Sequence, residues 1–193
     1  MTFPLMPSTS FGYARGAVTV LGNADGTYNV GPATPHRWIV VASTLFSGST
    51  FPAWSPPTVN GSSMTTIVQD ISAFSNDGHQ GAIWISQIPA GGTASVSGAP
   101  GFSVVFLMTG VRSQSVVVNT TGTVSSAPVG SFSVGYWVPN FGNMISVANM
   151  DVYGGFYEKV GYDLRMDSTP ITYTPTHTGT LVLQRVVSWA FDY

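Results

Sequence analysis

Charge is nearly missing from this sequence. Lys, Arg, Asp and Glu make up 7% of its 193 residues, against about 25% in ordinary soluble domains. There is one lysine, Lys159, and the net charge is −2. With no basic stripe, phosphate-backbone binding to nucleic acid is not expected. Cysteine is absent, which excludes disulfides and thiolate metal sites. No apolar run approaches the ~18 residues of a spanning helix, so no membrane segment of that kind is read. The first residues, MTFPLMPSTSFGYARG, lack the basic start and continuous apolar stretch of a secretion signal. The two N-x-T/S sequons, at Asn60 and Asn119, therefore carry no weight.

What the chain has instead is hydrophobic residues at 44%, enough for a substantial core. Its polar surface must come from Ser, Thr, Asn and Gly. Uncharged hydroxyls and amides are readily re-bonded across a contact, and depletion of charge marks the cores of interfaces. Much of this surface is thus expected to be covered in an assembly.

Alternation with period two dominates. Residues 37–46 (RWIVVASTLF) and 102–109 (FSVVFLMT) read as strands apolar on both faces. In SFSVGYWVP, Phe132, Val134, Tyr136 and Val138 share one face, with Ser131, Ser133 and Gly135 on the other. In GTLVLQRVVSWAF, Leu181, Leu183, Val187 and Trp189 are expected on one side, and Val182, Gln184, Val186 and Ser188 on the other. Strands apolar on both faces need two covers, a second sheet and a loop or partner. In GAIWISQIPAGGTASVSG (81–98) an apolar run meets a Pro-Gly turn, and Ala94 and Val96 point in while Thr93 and Ser95 point out. This reads as two adjacent strands of a packed wall. NADG, NDG, PAGG and GAPG supply turns. MTTIVQDISAF is ambiguous: Ile67, Val68, Ile71 and Phe74 make a helical stripe, while its β-branched residues favour a strand, so a strand ending in a helical turn is expected. No linker, charge block or repeat divides the chain. The expectation is all-β: a single two-sheet antiparallel β-sandwich, jelly-roll-like, over 1–193, with 1–16 as an N-terminal arm.

Groups able to do chemistry are few. His36, His79 and His177 are far apart and read as loop or strand-edge residues, and no metal-ligand spacing, nucleophile elbow or phosphate loop exists. NADGT places oxygen ligands as a calcium loop does, but lacks the downstream acid; a hairpin turn accounts for Asp25-Gly26. No catalytic residue, metal or cofactor is assigned. NMDVYGGFYEKVGYDLRMD gathers Asp151, Glu158 and Asp163 with Tyr153, Tyr157 and Tyr162. An exposed charged loop explains it, a sugar-binding surface or a glycosidase pair of Glu158 with Asp151 or Asp163 being the functional alternatives. Trp54, held between prolines, is an aromatic that either packs in a core or presents a contact. Trp54, Trp137, Tyr153, Tyr157 and Tyr162 are the candidate interface or glycan contacts, with Trp189 a further apolar anchor.

The succession RWIVVAS, PTVNGSS, GAIWISQIPAGGTASVSG, FSVVFLMTGV and the terminal SWAF resembles the single-domain β-sandwich virion proteins of tailed bacteriophages and prophages, over roughly residues 36–110 and the last fifteen. The resemblance is of fold and carries no catalytic residue. It implies a non-enzymatic structural role in the virion, as capsid decoration or tail accessory. The implied partners are further copies of the chain and the major capsid or tail proteins, with a host surface glycan if the protein sits at a tail tip. The lack of a coiled-coil or repeat shaft argues against a long fibre.

Overall fold

The computed structural model describes residues 16–23, 25–47, 53–74, 77–110, 116–119, 126–127, 131–140, 142–154, 158–164 and 171–190. The expected arm, apart from Gly16, lies outside them. The described chain is all-β and without helix. Its strands are β1 (Ala17–Asn23), β2 (Gly26–Asn29), β3 (Arg37–Ser47), β4 (Thr58–Val59), β5 (Ser62–Ser63), β6 (Thr65–Phe74), β7 (Asp77–Gln87), β8 (Thr93–Ser97) and β9 (Phe102–Thr109) in its first half. The second half holds β10 (Val116–Asn119), β11 (Ser126–Ala127), β12 (Ser131–Asn140), β13 (Met144–Val147), β14 (Asp151–Tyr153), β15 (Lys159–Leu164), β16 (Ile171–Thr172), β17 (Pro175–His177) and β18 (Thr180–Ala190).

Two five-stranded antiparallel sheets, β1-β9-β3-β7-β6 and β10-β18-β12-β15-β14, form the centre. Their facing sides share one core, with Val40, Ala42, Ile83, Val104 and Phe106 from one sheet and Phe132, Val134, Tyr136, Val187 and Trp189 from the other. Both sheets are also apolar on their outer sides, as the two-faced strands require. The first is covered by a four-stranded sheet, β2-β8-β4-β5, over a core of Ile39, Val41, Trp84, Ala94 and Val96. The second is covered around Trp137, Met144, Val147, Tyr173 and Val186, where β11-β16 and β13-β17 supply two short ribbons. The cover is thus built by the chain itself on both sides.

Strand order repeats although the residues do not. Counted from the start of each half, each central sheet runs first strand, last strand, long third strand, then a hairpin. Registers agree as well: Val40 lies opposite Phe106 and Ile85, and Val134 opposite Val187 and Tyr162. Thr65 stands opposite Ile85 as Asp151 stands opposite Tyr162. In the outer layer β2 and β4 both pair with β8; in the second half β11 pairs with β16 and β13 with β17. β16 and β17 are two pieces of one segment, broken where Tyr173 turns fully into the core. The first half on its own has interleaved jelly-roll order, its strands passing between two facing sheets. The expectation of no repeat holds for the residues and fails for the topology.

Several local expectations change. MTTIVQDISAF is strand from Thr65 to its end, without a helical turn; a bulge at Ile67 lets Ile67 and Val68 both pack on the inter-sheet core, which is what imitated a helical stripe. A second register shift, between Val138 and Pro139, makes Val182 the extra residue of β18, so Val182 joins the central core and Leu181 the outer one, the reverse of simple alternation. β7 and β8, read as adjacent strands, belong to different sheets, although Thr93–Ser97 alternates out and in as expected. His79, read as an edge residue, is fully buried within β7.

Candidate functional site

The densest polar feature joins the central sheets. Asp70 on β6 follows the bulge and faces inward, opposite Gly81. Arg185 of β18 grips it with both arms, Nε to Oδ2 at 2.8 Å and an NH2 nitrogen to Oδ1 at 2.9 Å. The Tyr136 hydroxyl on β12 donates to the same Oδ2. Burial above all, then the hydrogen bond to Asp70, pushes the Tyr136 phenol well above its ordinary value, so it is a fixed donor and not a base. Gly81 makes room for the ring: a Cβ there would fall within the van der Waals envelope of Tyr136. The group is a clasp between sheets, with its carboxylate and guanidinium committed to each other.

A second polar device was not foreseen. Arg37, the first residue of β3, is fully buried. Its Nε donates to Ile88 O (2.9 Å). One terminal nitrogen reaches the carbonyls of Val30 (3.1 Å), Gly31 (2.7 Å) and Pro32 (2.6 Å), the other those of Ala90 (2.8 Å) and Gly91 (2.6 Å). Gly31 and Gly91 hold φ of 72° and 77°, a region that glycine enters without a Cβ penalty. The Pro-Ala-Gly-Gly turn is therefore one wall of a carbonyl cradle. Asp25 does a similar job with the opposite charge, its two oxygens accepting from the Gly98 and Ala99 N–H groups at 2.8 Å each. Those bonds tie the NADG turn to the β8–β9 connection and oppose the calcium-loop alternative. No group of three or more metal-ligating side chains occurs among the described residues.

The expected aromatic contacts fare differently from one another. Trp137 is a core residue, fully buried and lying over Gly135 and Gly161, which face each other across β12 and β15; it cannot serve as a surface contact. Trp189 is likewise fully buried. Trp54 is half-buried, its ring 6.1 Å from that of Trp84 at the margin of the outer core. Tyr162 packs inward between Phe106 (5.3 Å), Phe132 (6.4 Å) and Tyr153 (5.9 Å, stacked), so it offers no open face to a sugar. Burial first, then hydrogen bonding to Tyr153 and the nearby Asp151, pushes its phenol up to about 12. Tyr153, partly exposed, remains at the rim beside exposed Asp151. Tyr157 lies outside the described residues.

The expected glycosidase pair is Glu158 with Asp151 or Asp163, and the two possible partners of Glu158 lie on opposite faces of the sheet. Asp151 stands opposite Tyr162 on the inner face, whereas neighbouring Asp163 points to the outer face and accepts from the Tyr173 hydroxyl at 3.1 Å. Glu158 enters β15 half-buried. Burial raises its carboxyl above the ordinary 4.5, and Lys159 only lowers it in part. A carboxyl raised on folding contributes stability that is complete below the unfolded value and lost as pH rises through the folded one. Glu158→Gln is therefore expected to stabilise the chain at pH 7 and to give no advantage below about pH 4. Urea midpoints at both pH values test this; an equal difference at both would contradict it.

Searches with the sequence and the fold find no matching protein-family model, curated protein or solved structure.

Proposed function

We propose that this chain is a non-enzymatic structural protein of a bacteriophage virion, a capsid-decorating or tail-accessory subunit that assembles through charge-poor surfaces. The observation that carries this reading is where the charge goes. Between residues 17 and 109 the three charged side chains described are all committed within the chain: Arg37 to carbonyls, Asp25 to main-chain N–H groups and Asp70 to Arg185. The exposed positions of β2 and β8, Thr27, Asn29, Thr93, Ser95 and Ser97, are small, polar and neutral. A surface of this kind loses little on desolvation and meets no like charge in a neighbour. The resemblance of the strand motifs to virion β-sandwiches points the same way, as an analogy of fold.

Quantitative mass spectrometry of purified particles from the encoding virus tests the proposal. Many copies per particle support decoration or a repeating tail part. A few copies place the chain at a tip. Absence from the particle overturns the reading. A second reading, recognition of a host glycan, is favoured by one feature: Tyr153 at the rim beside exposed Asp151. A glycan array with no binder removes it.

A further inference from the structure

We propose that β6 is the edge through which two copies of this chain pair. The strands run antiparallel about a two-fold axis at Ile71, joining two five-stranded sheets into one of ten. The inference rests on the homo-oligomeric part of the reading above and names its interface.

Among the described residues β6 pairs only with β7, so its other side carries a row of main-chain donors and acceptors, a template for a further strand. At ten residues it is the longest edge of the three larger sheets among the described residues: β1 has seven, β2 and β10 four each, β14 three and β5 two. The repeated topology shows that this length is not required by the fold. β14 occupies the corresponding place and ends at Tyr153, the register equivalent of Val68. From Gln69 onward β6 is an extension that has no counterpart among the described residues of the second half.

The extension also lacks the guards that keep edges apart. TTIVQDISAF contains neither lysine nor proline. Its bulge falls at Ile67, ahead of the extension. Its one charge, Asp70, points inward and is gripped by Arg185. An inward charge guards an edge because a second strand would bury it unpaired; here the partner is already built in. A mate therefore meets no uncompensated charge along β6. On the opposite face from Asp70, Ile71 is 48% exposed. Antiparallel pairing about Ile71 sets each isoleucine against its mate, a cross-strand apolar pair. Ile145, the other large exposed apolar side chain described, is the unpaired residue of a register shift in β13 and offers no regular edge.

The cysteine-free chain makes the test direct. Directly opposed residues of an antiparallel pair have Cα atoms about 4.5–5.5 Å apart, within disulfide reach. In the full chain Ile71→Cys is expected to give a disulfide-linked dimer on mild oxidation, with Ile145→Cys remaining uncrosslinked. Size-exclusion chromatography with light scattering is expected to show a dimer for the wild type. Ile71→Lys, which sets two ammonium groups against each other, is expected to weaken it at least about tenfold while leaving the thermal midpoint of the diluted monomer unchanged. A dimer that survives Ile71→Lys, together with an Ile71→Cys variant that does not crosslink, overturns β6 as the interface and leaves the homo-oligomer standing. A wild-type monomer at high concentration overturns both.

Discussion

Arg37→Met is expected to lower the free energy of unfolding by at least about 3 kcal/mol. Methionine fills comparable space and keeps the apolar stem, so the loss isolates the guanidinium. Six main-chain carbonyls converge on that group. Removing it leaves buried acceptors without donors, each costing about 1–3 kcal/mol unless water enters. The cradle reinforces the junction of two connections, Val30–Pro32 and Ile88–Gly91, that main-chain pairing joins next to it through the Val30 N–H to Gly92 O bond, so its loss also loosens the outer sheet at β2 and β8. Arg37→Lys should recover little, because one ammonium with three donors cannot span carbonyls arranged for a planar fork. Urea denaturation of the wild type and both variants measures this. A lysine variant within about 0.5 kcal/mol of the wild type would show that charge alone suffices and that the cradle geometry does not matter.

Gly81→Ala is expected to cost about 3 kcal/mol, at the upper end for adding a methyl group to a packed core. The new Cβ would meet the Tyr136 ring. That ring cannot swing aside, since it is fully buried and its hydroxyl is bound to an aspartate already held by Arg185. Strain is thus forced into the spacing of the two central sheets. A double-mutant cycle with Tyr136→Leu gives the decisive number. Removing the ring should relieve most of the penalty, so the two changes should couple by more than about 1 kcal/mol. Additive costs would mean that the glycine is needed for its backbone and not for the space above it.

These two positions show how unevenly the structure could be read from residues alone. Phe132, Val134, Tyr136 and Val138 announce their common face by strict alternation, and the core contains all four. Ala94 and Val96 behave likewise. Alternation fails where a bulge adds a residue. Ile67 then shares a face with Val68, and Leu181 and Val182 exchange sides, because a single insertion inverts everything beyond it. Arg37 carried little signal: its partners are carbonyl oxygens, which every residue possesses. A lone arginine opening an apolar strand and a Gly-rich turn some fifty residues on are the only hints, and neither specifies the other. The candidate contacts divided on the same principle. Trp137 is alternate with the inward row and so could be read as outward, yet the outer face of that sheet is itself a core.

Composition and period were sufficient to set the class of molecule. Strands apolar on both sides demanded a covered, layered all-β fold, and a chain so poor in charge demanded a neutral Ser/Thr surface. Those properties are local or summed, and they survive any arrangement of the strands. What only the tertiary structure decided is relational. It showed that the chain covers both outer faces by itself, that one strand order is used twice over unrelated residues, and that Asp70 meets Arg185 across a separation of 115 residues. Topology is set by which strands pair, and many sequences satisfy the same pairing through apolar contacts that are non-directional. A repeat of order therefore leaves no repeat of letters, and a clasp between sheets is invisible until the sheets are laid face to face.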